Sequence, residues 1–264
     1  MSTIKLHDIN LYYETYGEGE PLLLIQGLGL DSSAWLNQTP AFSQKYQVIL
    51  FDNRGIGRTD APQSSYSTES MVDDTVALLN ALAIDNAHVL GFSMGGFIAQ
   101  KLAHKYPERI KSLILAGTAA KLSPMATQII QVWLRMLEEE VNPETRMRAQ
   151  LPWLFTEKFF ETSEQVEALI QLSLAYPYLP TVQGFTGQVA ACIEHNSLNY
   201  LNQIVFPTLV FVGQEDILIP VKLTQELARS LPNAELLILE GGGHNFFYEI
   251  PEQFNRAVLN FLGN

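Results

Sequence analysis

The sequence predicts an α/β fold in which a mostly parallel sheet is covered by helices on both faces. Short apolar runs alternate with helical patterns through residues 22–116, and the same alternation returns through residues 208–262. Strands separated by helices are typical of parallel βαβ units, and continuous apolar runs indicate strands that are buried on both faces. Between the two regions the strand pattern disappears and helical patterns replace it. We therefore expect one sheet whose sequence is interrupted by a helical insertion.

The strands and helices of the sheet region follow from periodicity. Residues 4–16 alternate apolar and polar side chains and predict a β-hairpin. Further strands are predicted at 22–26, 48–51, 87–90, 112–116, 208–212 and 234–239. Segments with a helical apolar period predict helices at 33–43, 70–83, 95–104, 221–230 and 251–262.

The predicted insertion is helical throughout. Its patterns cover residues 125–140, 143–154, 163–176 and 181–195, and prolines punctuate them. A helical block that interrupts an α/β series is expected to lie over the carboxyl ends of the strands. We therefore expect an α/β core of residues 1–120 and 203–264 and a helical cap of residues 121–202.

Composition excludes several classes of function. Of the 264 residues 47% are hydrophobic and 17% are charged, which supplies a large core and argues against disorder. The formal net charge of −12 argues against nucleic acid or an anionic membrane as a partner. The N-terminus lacks the apolar core of a signal peptide, and no apolar run reaches transmembrane length. We therefore expect a cytoplasmic protein, and the sequence leaves its oligomeric state open.

Neither a metal nor a cofactor is expected. No Cys/His cluster has metal-ligand spacing, and no glycine-rich phosphate loop follows a strand. The one cysteine, Cys192, cannot form an internal disulfide. It lies in an apolar helical stretch, so we interpret it as a packing residue.

The most informative segment is the pentapeptide Gly91 to Gly95, which has Ser93 at its centre. It joins a predicted strand to a predicted helix, the context in which a serine hydroxyl is presented as a nucleophile at the edge of a sheet. Glycines on both sides let the strand and helix approach closely, and the helix start directs free N–H groups toward the site. We therefore predict Ser93 as a nucleophile.

A serine nucleophile needs a base, and the base needs an orienting carboxylate. Asp216 follows one late strand, and His244 follows the next strand after three glycines. Both therefore stand at the carboxyl edge of the sheet, in the chain order Ser, Asp, His. Glu215 is the alternative carboxylate, and we interpret it as solvent-facing. His195, which ends a helix of the insertion, is not expected to be catalytic.

An oxyanion is predicted to bind two backbone N–H groups, those of Leu28 and Met94. Leu28 lies in the loop after the first parallel strand, where neighbouring glycines permit an inward-facing amide. The next loop carries Asp52, Arg54 and Arg58, which we interpret as structural ion pairs.

Together these segments resemble the α/β-hydrolase superfamily along nearly the whole chain. The matching motifs are the small-residue turn after the third strand, the Asp-x-Arg-Gly-x-Gly loop, the Gly-Phe-Ser-Met-Gly-Gly elbow, the Gly-x-x-Asp-x-x-x-Pro segment and the late Gly-Gly-His. The resemblance implies an eight-stranded sheet with the insertion as a cap. Within the superfamily the chain is most similar to 3-oxoadipate enol-lactonases and related carboxylesterases. It departs from many relatives at Gln26, where they carry histidine.

The predicted function is therefore a serine hydrolase that cleaves a small to medium carboxylic ester or lactone through an acyl-enzyme on Ser93. Aromatic residues in the cap predict a substrate with an apolar portion. The candidate pocket residues are Trp133, Trp153, Phe155 and Phe185. No arginine of the cap is placed evidently to bind a dicarboxylate, which weakens the enol-lactonase interpretation and leaves a neutral ester, lactone or thioester equally consistent with the sequence.

Three alternatives share the same motifs. The fold also serves as a small-molecule receptor or signalling module with little turnover, and the triad of such a receptor would look the same. A perhydrolase would intercept the same acyl-enzyme with peroxide. A C–C bond hydrolase is disfavoured because those relatives typically have tryptophan after the catalytic histidine, where this chain has Asn245.

Overall fold

One sheet organises the protein, whose computed structural model describes residues 2–64 and 66–263. The strands of this part are β1 (Ser2–Leu6), β2 (Ile9–Tyr16), β3 (Glu20–Ile25), β4 (Tyr46–Phe51), β5 (Ala87–Phe92), β6 (Ile110–Ala116), β7 (Thr208–Gly213) and β8 (Ala234–Leu239). All eight join one sheet in the order β1-β2-β4-β3-β5-β6-β7-β8. β2 runs antiparallel to β1 and β4, and the remaining neighbours are parallel. The predicted fold class is therefore confirmed.

Helices fill the connections between the strands. They are α1 (Thr39–Phe42), α2 (Thr68–Ala81), α3 (Met94–Lys105), α4 (Pro124–Glu138), α5 (Pro143–Leu154), α6 (Glu157–Phe160), α7 (Ser163–Leu174), α8 (Val182–Glu194), α9 (Val221–Ser230), α10 (Phe246–Glu249) and α11 (Pro251–Leu262). Local chemistry explains several starts. Ser67 and Ser70 form a capping box at α2, and the Thr181 hydroxyl accepts the N–H of Gly184 at α8.

The helix predicted at 33–43 is wrong in one respect, because the segment divides in two. A 3-10 helix covers Ser32–Trp35, and α1 begins separately at Thr39. Pro40 lies in the first turn of α1, where it needs no N–H partner, but in a longer helix it could not donate an N–H to the carbonyl of Leu36. A single helix through this proline is therefore not formed.

The strands bury alternate side chains on the two faces of the sheet. Along β3, Leu22 and Leu24 join the cluster on one face, whereas Leu23 and Ile25 join the cluster on the other. All four are fully buried, and each such side chain contributes about 1.5–3 kcal/mol of hydrophobic stabilisation. This two-sided burial holds the carboxyl ends of β3 and of β5 to β7 at one edge, and β8 joins that edge by parallel pairing with β7.

Helices α4 to α8 separate β6 from β7 in sequence and contact the loops at that edge. The hydroxyl of Tyr176, just after α7, donates to Asp31 Oδ2 at 2.6 Å, in the loop after β3. Helix α8 meets the loop after β4 through backbone, since a Cβ at Gly184 would lie 1.9 Å from the carbonyl oxygen of Gly55. Buried residues of α4 and α8 belong to the main core, whereas α5 to α7 enclose a small core of their own.

The charged residues of the loop after β4 form ion pairs, as predicted; the pair of Arg54 is buried and the pair of Arg58 is partly buried. Arg54 binds both carboxylate oxygens of Asp74, at 2.6 and 2.8 Å. Arg58 binds both oxygens of Asp52, at 2.8 and 3.0 Å. Asp52 also accepts the N–H of Ser32 at 2.9 Å, which ties this loop to the loop after β3.

Among the helices of the described residues, none is long and apolar enough to cross a membrane.

Candidate active site

Ser93 lies at the junction of β5 and α3 in a strained conformation. Its φ of 53° and ψ of −117° are sparsely populated by residues other than glycine. Backbone bonds hold this geometry: the Ser93 N–H donates to the carbonyl of Ala116, and its carbonyl accepts the hydroxyl of Thr118, both at 2.9 Å. The strain is therefore maintained by β6 and the residues that follow it.

The two glycines of the pentapeptide are required by close backbone approach. A Cβ at Gly91 would lie 2.3 Å from the carbonyl oxygen of Gly95, and a Cβ at Gly95 would lie 2.0 Å from that of Ile25. Neither distance can be accommodated, because both obstacles are backbone atoms. The tight turn that presents Ser93 therefore depends on glycine at both positions.

Ser93, His244 and Asp216 come together in one chain of hydrogen bonds. His244 Nε2 lies 3.1 Å from Ser93 Oγ, and His244 Nδ1 lies 2.8 Å from Asp216 Oδ2. Asp216 Oδ1 accepts the N–H groups of Leu218 and Ile219 at 3.0 and 2.8 Å, which fixes the carboxylate. Because a carboxylate only accepts, Nδ1 carries the proton and Nε2 can accept one from the serine.

The loops that carry Asp216 and His244 are in direct contact. A Cβ at Gly213 would lie 2.2 Å from the carbonyl oxygen of Gly242, so any side chain at Gly213 would push the two loops apart. The N–H of Glu215 donates to the same carbonyl at 2.9 Å. The Glu215 side chain is exposed, whereas those of Asp216 and His244 are buried. The alternative carboxylate is therefore not brought to the histidine.

Hydrogen bonds in the loop after β3 show which N–H groups near Ser93 already have acceptors. The N–H of Gly27 donates to Gln26 Oε1 at 2.9 Å, and the N–H of Gly29 donates to Gln188 Oε1 at 3.0 Å. Among the described residues, none accepts from the N–H of Leu28 or of Met94. Both residues line the same cavity as Ser93. These two N–H groups remain the candidate oxyanion donors.

Gln26, the residue that follows β3, supports this loop. Its side chain is fully buried, and its backbone carbonyl accepts a hydrogen bond from the side-chain amide of Asn53 at 3.2 Å. Because Oε1 binds the N–H of Gly27, the side chain closes a local turn that leaves the next N–H free. Glutamine therefore holds the loop through an acceptor oxygen.

A cavity of about 140 Å³ opens beside Ser93. Its lining residues are Gly27, Leu28, Gly29, Leu30, Phe92, Ser93, Met94, Phe97, Leu122, Ala126, Ile130, Trp133, Gln150, Leu154, Pro180, Phe185, Cys192, Leu218, Ile219, His244 and Asn245. An apolar cavity of about 150 Å³ binds benzene, so this cavity has room for an apolar group of about that size. Within the described residues its wall contains no Asp, Glu, Lys or Arg, so it suits an uncharged apolar group.

The structure brings two of the four predicted pocket residues to this cavity. Trp133 and Phe185 line it. Phe155 instead stacks on Phe159 at 4.2 Å between ring centroids, inside the small core of α5 to α7. Trp153 packs, partly buried, against the main core. Helical periodicity places aromatic side chains on a buried face, but it does not say which neighbour covers that face.

Sequence reasoning missed Phe97, which lines the cavity from the first turn of α3. Its position four residues after Ser93 could have indicated it, since residues one helical turn apart share a face.

The ring of His195 stacks on Phe97 with 4.4 Å between centroids, behind the cavity wall. Burial lowers the pKa of His195 to about 3, and it raises that of the Cys192 thiol. Neither group has the partners of a catalytic residue. In the described ranges, no group of three His, Cys, Asp or Glu side chains could hold a metal ion.

Comparison with known proteins agrees with this architecture. A profile of the family described as alpha/beta hydrolase fold matches residues 20–251. The protein BpoC of Mycobacterium tuberculosis, whose name as a non-heme bromoperoxidase is provisional, is 34% identical over 97% of this chain and 98% of its own. Its crystal structure superposes with a TM-score of 0.88 and covers 96% of each chain.

Two further relatives have names that state an ester or lactone activity. 3-Oxoadipate enol-lactonase 2 of Acinetobacter baylyi is 32% identical over 97% of this chain and 94% of its own. The structure of a thermophilic esterase from Thermogutta terrifontis, with malate bound, is 30% identical, has a TM-score of 0.85 and covers 96% of this chain and 93% of its own. The family profile spans most of the sequence, and the sheet order and the serine turn agree with it; the chain therefore belongs to the α/β-hydrolase fold family.

Proposed function

We propose that this protein is a serine hydrolase that cleaves a small to medium carboxylic ester or lactone through an acyl-enzyme on Ser93. The observation that carries the proposal is the continuous hydrogen-bond chain from Ser93 Oγ through His244 to Asp216, at 3.1 and 2.8 Å. A nucleophile, a base and an orienting carboxylate in this order are the arrangement that acyl transfer requires.

The roles of the groups follow from their positions. His244 Nε2 takes the proton as Ser93 Oγ attacks the acyl carbon, and the N–H groups of Leu28 and Met94 stabilise the oxyanion. Asp216 stabilises the imidazolium, which then protonates the leaving oxygen. In the second half, His244 deprotonates a water molecule, which attacks the acyl carbon and releases the acid from Ser93.

The cavity favours an uncharged substrate with an apolar portion. Its wall is formed mainly by aliphatic and aromatic side chains, with the amides of Gln150 and Asn245 as neutral polar groups. The substrate of a 3-oxoadipate enol-lactonase carries a free carboxylate, and burying a carboxylate without a cation costs several kcal/mol. We therefore assign this chain a neutral ester or lactone, even though one of its relatives has the lactonase name.

A perhydrolase is the second candidate function. The similarity to a protein named as a bromoperoxidase favours it. In that reaction hydrogen peroxide, instead of water, attacks the acyl-enzyme and releases a peracid. The nucleophile, base and oxyanion donors would be unchanged.

The first experiment measures initial rates on p-nitrophenyl esters of increasing acyl length, with wild type beside Ser93→Ala. We expect sustained turnover that is highest for short acyl chains and about a thousandfold or more slower in the variant, because its nucleophile is gone. Ser64→Ala, an exposed serine, is the matched control and should retain the wild-type rate.

The alternatives give different results in the same experiment. Addition of hydrogen peroxide would divert the product to peracid if the protein is a perhydrolase. Absence of sustained wild-type turnover, together with ligand-induced thermal stabilisation, would indicate a receptor instead. Near-wild-type activity in Ser93→Ala would rule out the acyl-enzyme mechanism.

A further inference from the structure

The residues on both sides of His244 are held through their backbone N–H groups. The N–H of Gly243 donates to Glu249 Oε2, and the N–H of Asn245 donates to the carbonyl of Leu154, both at 2.8 Å. Glu249 is the last residue of α10, and Leu154 is the last residue of α5. The position of His244 is thus set from one side by α10 and from the other by the helical insertion.

The other carboxylate oxygen of Glu249 continues this connection into the insertion. Oε1 accepts the N–H of Thr156 at 3.0 Å and the Thr156 hydroxyl at 2.7 Å. One carboxylate therefore accepts three hydrogen bonds and joins the His244 loop to the start of α6. Bonds to a carboxylate are about twice as strong as bonds between neutral groups.

No side chain separates the His244 loop from this segment. A Cβ at Gly243 would lie 3.0 Å from the carbonyl oxygen of Leu154 and 3.1 Å from the carbonyl carbon of Phe155. Contact between the two backbones is therefore already close, and a displacement of either one must move the other.

The segment Leu154–Phe155–Thr156 also reaches the substrate cavity. Leu154 lines the cavity, and the Phe155 ring packs against Phe159 and Tyr248 in the small core of α5 to α7. Three consecutive residues thus contact the substrate space, the core of the insertion and the carboxylate of Glu249.

We propose that Glu249 is a positioning residue for His244, which it holds against Ser93 by joining the His244 loop to Thr156 of the insertion. This inference rests on the proposed function, since it takes His244 as the base. Glu249 touches neither substrate nor the reacting atoms. Its effect is on the distance and direction between His244 Nε2 and Ser93 Oγ.

The first test replaces Glu249 by glutamine. All three bonded groups are donors, and a glutamine amide nitrogen cannot accept them, so one end of the bridge is lost. We expect the kcat for p-nitrophenyl esters to fall about tenfold with KM changed less than about twofold, because small misplacements of a catalytic group cost rate. Glu252→Gln removes the same charge from an exposed site on α11 and should leave kcat unchanged.

Two readouts separate positioning from simple loss of folded protein. A fluorophosphonate that labels Ser93 counts active sites, so kcat is expressed per active site. The rate of that labelling is expected to fall with kcat, and it reports the Ser93–His244 pair even without ester turnover. Thermal unfolding sets an assay temperature at which both proteins are fully folded.

Thr156 gives an independent pair of variants. Thr156→Val removes the hydroxyl donor at nearly constant shape and should lower kcat and the labelling rate about threefold, whereas Thr156→Ser keeps the hydroxyl and should restore both. Unchanged kcat and labelling rate per active site in Glu249→Gln would overturn the inference. Wild-type labelling without wild-type turnover would overturn the proposed function alone, and failure of wild type to label would overturn both.

Discussion

The surroundings of His244 and of His195 differ in hydrogen bonding, although the two side chains are almost equally buried. Their exposed fractions are 3% and 4%. His244 has Asp216 on one ring nitrogen and Ser93 on the other. Among the described residues, neither ring nitrogen of His195 has a hydrogen-bond partner. Burial makes a histidine resist protonation, but only its partners give it a fixed tautomer, a direction and a proton to accept.

His195 serves instead as an aromatic surface. Its ring lies nearly parallel to that of Phe97, at an interplanar angle of 12°, and Phe97 lines the cavity. Desolvation is the main reason that the pKa of His195 falls to about 3, and the charge of Lys101 adds to it. The neutral ring therefore packs behind the cavity wall at the cost of two unsatisfied polar atoms.

The largest effect is expected from removing the carboxylate that is hydrogen-bonded to His244. Asp216→Asn keeps an oxygen for the N–H groups of Leu218 and Ile219, so the loop should fold. Its amide nitrogen can only donate toward His244 Nδ1, which reverses the tautomer. We expect kcat to fall about ten-thousandfold, measured on the best p-nitrophenyl ester. A loss smaller than about tenfold would show that His244 does not depend on this partner.

An intermediate effect is expected at Gln188, on the helix that His195 terminates. Gln188 is fully buried, accepts the N–H of Gly29 and donates to the carbonyl of Arg54, both at 3.0 Å. Gln188→Leu leaves both groups unpaired and frees the loop that carries the Leu28 donor. We expect kcat to fall about tenfold, since a looser loop aims the N–H of Leu28 less well.

The matched control for Gln188 lies on the same helix. Gln183 is exposed, and Gln183→Leu should retain the wild-type kcat. Equal kcat in the two variants, with both proteins folded, would mean that the loop is held without Gln188.

The smallest effect on activity is expected at His195. His195→Leu should leave kcat unchanged at pH 8 but alter how stability depends on pH. The pKa of this histidine is about 3 in the folded protein and 6.5 as a reference, so above pH 6.5 it contributes no pH dependence. Between pH 6.5 and 3 this histidine is protonated in the unfolded chain but not in the folded protein. As the pH decreases through this range, its contribution lowers the free energy of unfolding by about 1.4 kcal/mol per pH unit.

Urea unfolding at pH 7.5, 6 and 5 measures this contribution. The leucine variant should lose less stability than wild type on acidification, by about 2 kcal/mol at pH 5. His7→Asn, at an exposed position with positive φ, should retain the wild-type slope. Parallel pH profiles for wild type and His195→Leu would show that the buried ring does not govern acid sensitivity.

The sequence predicts the sheet and the meeting of Ser93, Asp216 and His244 because both depend on local signals. Each of the three follows an apolar strand, and the carboxyl ends of parallel strands share one edge. The catalytic roles of these residues, the oxyanion donors and the boundaries of the cap remain predictions. Trp153 and Phe155 could not be placed from periodicity, because the faces of α5 are covered by other helices of the insertion and by the main core.

The contacts of Glu249 and Gln188 could not be predicted from the sequence, for a different reason. Thr156 lies 93 residues before the carboxylate that it binds, and Gln188 lies 159 residues after Gly29. An ordinary glutamate at a helix end and an ordinary glutamine within a helix carry no motif. Their contacts depend on how α5 and α8 lie on the sheet, which is a property of the packed structure.

The backbone contact between Gly184 and Gly55 has a consequence for redesign of the cavity beside Ser93. With no side chain between them, even an alanine at Gly184 would displace α8 together with Phe185 and Gln188. Helix α8 should therefore be left unchanged when the specificity of the cavity is redesigned. The segment 157–174 packs mainly within its own small core and is the part that can be replaced. Any replacement must connect at its N-terminal end to the unchanged backbone of residues 154–156.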